Sequence, residues 1–145
     1  MITVLIAGAD GNIDAKERAW AEKITKIRTY SVPEEYQAFY TEVGSDFQEK
    51  LDQMIERFPS DVRERGALIN EKLSEVNLIL AKLEPKYGAL LYKEFKRFAR
   101  HVAKASGGFL GFFAVGSEEA KWIDLPMIDE IIYDEDEDEE EDERE

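Results

Sequence analysis

Four oxygen-bearing side chains, Asp10, Asn12, Asp14 and Glu17, fall within eight residues around Gly11. Hard oxygens at alternating positions suit Ca2+ or another divalent cation, which takes several of them at one focus. The spacing is not that of an EF-hand. With Asp10 as the first ligand, the closing acid falls on Ala21 and the loop glycine on Ala15. With Gly11 as the loop glycine, Glu17 takes the last place, but Ile6 and Gly8 stand where side-chain oxygens are needed. The same residues support a structural reading. Asp14 is a good N-cap, and Glu17 three residues later completes an Asp-x-x-Glu capping box, so the carboxylates would satisfy loop amides instead of an ion. Gly11 supplies the positive φ that a sharp corner between helices needs.

A weaker copy of this stretch lies about a hundred residues on. Ala7-x-Ala9-Asp10-Gly11 corresponds to Ala103-x-Ala105-Ser106-Gly107, and Ile13-x-x-x-Glu17-x-x-Trp20 to Val115-x-x-x-Glu119-x-x-Trp122. A duplicated helix-turn-helix about a pseudo-twofold axis accounts for the match. It places Glu17 and Glu119 one turn from Trp20 and Trp122 on a buried stripe. Two inward carboxylates can share a proton or a cation there, or each can be amide-bonded and structural. Inserted in the second copy, between Gly107 and Val115, Phe109, Leu110, Phe112 and Phe113 sit among glycines. They read either as an apolar lip for a membrane or protein partner or as rings folded back into the core. His101 is the single histidine and flanks an apolar stripe as a half-exposed helix residue. No nucleophile, base and oxyanion donor cluster together, so the expectation is a protein that binds rather than catalyses, with no small-molecule substrate identified.

Charge divides the chain. Residues 134–145 hold 11 acids and one Arg, a net of −10, whereas the other 133 residues carry 22 acids and 18 bases, a net of −4. The tail reads as a disordered polyanion that solubilises, gathers cations loosely or meets a basic partner. The body (1–133) reads as one helical domain. No basic stripe dominates, which argues against nucleic acid as a partner. The absence of Cys excludes disulfides and thiolate chemistry and sits well with a cytoplasmic location. The apolar start lacks a basic lead and a cleavage pattern, so it does not read as a signal peptide.

The elements that must position these groups are helices. Trp20, Ile24 and Ile27 share a face over about residues 15–29. Ser31-Val32-Pro33-Glu34 reads as a capping box opening a helix with Tyr36, Phe39, Tyr40 and Val43 that Gly44 ends. Phe47, Leu51, Met54 and Phe58 stripe the next. Val62, Gly66, Ile69, Leu73, Val76, Leu80 and Leu83 recur at spacings of four and three, predicting one long helix from Ser60. Pro85 opens another, with Tyr87, Leu91, Phe95, Phe98, Val102 and Ala105. A further helix is expected from Ser117 with Trp122 inward, then a short piece after Pro126. Alternation of period two is lacking, so no strand is expected.

An Asp-Gly-x-Ile-Asp-x-x-Glu stretch after a small-residue helix, echoed near the end of an all-helical chain, resembles the TerB-like family of tellurite-resistance proteins. The resemblance implies an all-α, compact bundle of about seven helices, usually cytoplasmic, with an acidic cluster suspected of holding a metal ion. Asp10, Asp14 and Glu17 match the family's acidic positions. In the echo, Ser106 and Gly116 stand where acids would be and Glu119 alone is kept; the phenylalanine-rich insertion is a second departure. The expectation is a scaffold or sensor of a metal-ion or envelope stress response. Its candidate weak divalent site comprises Asp10, Asn12, Asp14, Glu17 and Glu119. The alternative is a metal-free module that docks a protein, or the inner membrane surface, through Phe109 to Phe113.

Overall fold

A computed structural model describes residues 1–11, 13–106 and 120–133. Helices α1 (Ile2–Ala7), α2 (Ala15–Ser31), α3 (Glu34–Ser45), α4 (Phe47–Arg57), α5 (Val62–Ser74), α6 (Val76–Leu80) and α7 (Pro85–Ser106) follow in order, and no strand occurs among the described residues. The fold is all-helical.

The apolar opening stretch forms the middle of the bundle. Thr3 to Ala7 are all buried, and α1 packs on α2, α4, α5 and α7. A helix apolar on every side is stable only when surrounded, and α1 is. A 3-10 turn at Gly8–Asp10 carries the chain to Gly11, whose φ of 97° is left-handed and favours glycine. Val32 before Pro33 is extended, as proline demands of its predecessor, so α2 stops and α3 packs beside it across a two-residue link.

The main core joins Val4, Ile6, Leu51, Ile69, Leu73, Tyr92, Ala99, Val102 and Leu125, with Phe95 and Phe98 packed against them. A second cluster of Val32, Tyr36 and Tyr40 meets Tyr87, Leu90 and Leu91. The Tyr36 and Tyr87 rings lie edge to face, 5.6 Å apart.

Several expectations need correction. Ser31 ends α2 instead of opening a capping box, and α3 starts after Pro33 without a side-chain cap. Gly44 lies inside α3. The apolar repeat expected to be one helix from Ser60 is two, α5 and α6, broken at Glu75. Asp61, whose carboxylate accepts from the Arg63 and Glu64 amides at 3.0 and 2.9 Å, caps α5. Ile69, Leu73 and Leu80 of the repeat are still buried on either side of the one-residue break, whereas Leu83, past the end of α6, is exposed. After Pro126 the chain is not a helix. It is an irregular strap in which Asn77 donates to the Met127 carbonyl at 2.9 Å and accepts from the Asp129 amide at 2.8 Å. No helix among the described residues is long and apolar enough to cross a membrane.

Candidate functional site

The corner at Gly11 holds the first group of predicted site residues. Asp14 caps α2, its Oδ1 accepting from the Glu17 amide at 2.8 Å, and Glu17 Oε2 accepts from the Asp14 amide at 2.8 Å. The capping box is therefore complete. Glu17 is buried, 5 % exposed, and a carboxylate taken out of water needs such donors. One oxygen of each acid is committed to an amide, and among the described residues no group of three or more His, Cys, Asp or Glu converges on a point. Asp14 and Glu17 therefore each turn one oxygen to the other's amide, whereas a divalent ion takes several oxygens aimed at one point. Asp10 ends the 3-10 turn. Asn12, Glu119, Phe109, Leu110, Phe112 and Phe113 lie outside the described residues.

The two indoles sit in unlike surroundings. Trp122 lies over Gly66 of α5, where an added Cβ would come within 3.4 Å of its Cζ2. Trp20, expected on a buried stripe, is instead 41 % exposed, with Lys23 Nζ 5.3 Å from its ring centre. The inward side of α2 is occupied by Ala21, Ile24, Thr25 and Arg28. One residue turns a helix by about 100°, so the neighbour of buried Ala21 faces outward.

Arg28 is the residue that periodicity missed. It is 6 % exposed and ion-paired with Glu94 of α7, itself 4 % exposed. Arg97 reaches the same carboxylate at 3.0 Å, and the Tyr40 ring lies 5.9 Å from the Arg28 guanidinium carbon. Burial draws the Arg28 guanidinium below its ordinary pKa and raises that of the Tyr40 hydroxyl. Arg28 Nε has no hydrogen-bond partner among the described residues. One carboxylate between two guanidiniums leaves a net positive charge at this spot.

Around it α2 and α7 form a groove. Its two hollows, about 480 and 550 Å³, share Trp20 and His101. Lys16 and Lys104 line one, and Ile24, Ile27, Arg28, Glu94 and Arg97 the other. Ile27 is 49 % exposed. None of Lys16, Lys23 and Lys104 has a carboxylate within 4.0 Å among the described residues. Partial burial first, and then the charges of Arg28, Lys104 and Arg97, draw the His101 imidazole below its usual pKa. A cationic rim beside an exposed indole suits an anionic group that also brings apolar surface. Sequence spacing joins Glu94 to Arg97 one turn away, but Arg28 is 66 positions from Glu94 and no local pattern connects them.

Compared with known proteins, the chain matches no family model, no curated protein and no solved structure.

Proposed function

We propose that this protein is a non-enzymatic, metal-free interaction module of TerB-like kind. Its binding surface is the groove between α2 and α7, and its partner is an acidic protein segment carrying apolar side chains. The observation that carries this reading is the groove itself, in which Lys16, Arg97 and Lys104 flank the exposed Trp20 and Ile27 on a chain of net charge −14. A chain this acidic repels acidic partners in general, so a local cationic rim selects where one can land. The corner at Asp14 and Glu17 serves this surface by fixing the start of α2, from which Lys16 and Trp20 project.

The test uses the chain ending at Tyr133, with Trp122→Phe so that Trp20 alone reports. A synthetic 12-residue Asp/Glu peptide bearing one Phe is titrated while indole emission is followed. Saturable quenching that weakens with salt, and at least about ten-fold weaker binding in Lys16→Glu/Lys104→Glu, is the expected result. Emission that stays flat, or binding indifferent to the charge reversal, would overturn the reading.

A further inference from the structure

The groove has a candidate occupant in the same chain, an inference that rests on the groove reading above. We propose that residues 134–145 lie across the rim formed by Lys16, Arg97 and Lys104 as an internal competitor that an acidic partner displaces. Charge complementarity is the first ground: these twelve residues carry a net of −10, and the rim lysines have no carboxylate within 4.0 Å among the described residues. Reach is the second. The strap brings Ile131 Cδ1 within 3.5 Å of where a Cβ on Gly88 would stand, near the start of α7. From Gly88 to Arg97, the near end of the rim, is about 14 Å along the helix, and half a circuit of a helix about 10 Å across adds about 16 Å. Twelve extended residues span about 40 Å.

Tethering adds a third ground. A segment of the same chain meets the rim without the translational cost a free peptide bears, so weaker contacts suffice to hold it there. The competitor is also incomplete. Residues 134–145 contain acids and Arg144 alone, so they answer the cations but leave Trp20 and Ile27 uncovered. A partner that adds an aromatic or aliphatic side chain to its acids therefore displaces them, and the tail sets a threshold affinity that excludes merely acidic segments.

The chain contains no cysteine, so Glu140→Cys in the full-length protein accepts a single nitroxide label. The expected result is selective loss of more than half the amide signal of Trp20, Ile27 and His101 at low salt. Signal should recover at about 0.5 M salt, where the screening length falls to a few ångströms, and in Lys16→Glu/Lys104→Glu. Uniform or absent broadening would overturn the proposal. So would broadening that appears only when labelled chains are mixed with isotope-labelled unmodified ones, which would assign the contact to a second copy. A companion titration separates this proposal from the reading beneath it. Both core clusters and the residues packed on them lie between residues 2 and 131, so the chain ending at Tyr133 keeps them all. If a free peptide of residues 134–145 shifts its groove signals while the full-length label broadens nothing, the internal competitor alone is wrong. If neither that peptide nor the Phe-bearing one moves them, the groove reading fails with it.

Discussion

Arg28 and Glu94 set the charge of the groove at the level of single residues. Each loses several kcal/mol of hydration on burial, which the pairing repays only while both are present. Glu94→Ala leaves a guanidinium buried with Arg97 beside it, and should cost about 3–5 kcal/mol in urea unfolding. Arg28→Met/Glu94→Leu removes both charges and should recover most of that loss; a double variant as unstable as the single would show that the pair itself stabilises the fold. The carboxylates at the corner act differently. Asp14→Ala forfeits a helix cap worth about 1 kcal/mol. In the chain ending at Tyr133 the loss should be the same with and without millimolar calcium. A calcium-dependent difference, or calorimetric heat abolished by Asp14→Ala/Glu17→Ala, would instead make the corner an ion site. The capping box was legible in the sequence because its partners are three residues apart. The Arg28–Glu94 pair was not, since only the packing of α2 on α7 brings them together.

Among the elements, the strap after α7 departs most from what periodicity predicts. Met127, Ile128 and Ile131 look like a helical stripe, yet they pack as irregular chain. Leu125 takes a φ of 48°, costly for a residue with a branched side chain, and is fully buried. Burying a leucine contributes about 1.5–3 kcal/mol, enough to offset about 1–2 kcal/mol for a left-handed residue. Asn77 holds the strap by giving one bond and taking another across the break after α5. Asn77→Ala should therefore raise amide exchange from Met127 to Ile131 by about ten-fold or more while leaving α1 and α7 protected, since two lost bonds act locally. Uniformly faster exchange would mean that the strap unfolds together with the core.

At the scale of the whole molecule, net charge is less informative than its distribution. A polyanion of twelve residues and a body of net −4 add to −14, and within that body the facing sides of α2 and α7 still assemble a cationic groove. Counting residues along the chain could not find this, because α2 taken alone carries both signs and its bases look like a solvated face. Trp20 shows the same limit. Helical spacing groups it with Ile24 and Ile27, but the stripe that α7 and α1 bury is centred one residue on, at Ala21, Ile24, Thr25 and Arg28.

What the sequence determined by itself was local. Helix-only periodicity, the left-handed corner at Gly11, the Asp14–Glu17 cap and the opening of α7 at Pro85 each depend on atoms within a few residues of one another, so composition and spacing suffice. Tertiary structure alone decided which side of α2 is inward, where the long repeat breaks, and that Arg28 meets Glu94. Those outcomes depend on how α1, packed against four other helices, leaves room around itself, and the sum of many weak contacts between distant residues leaves no periodic trace in the chain.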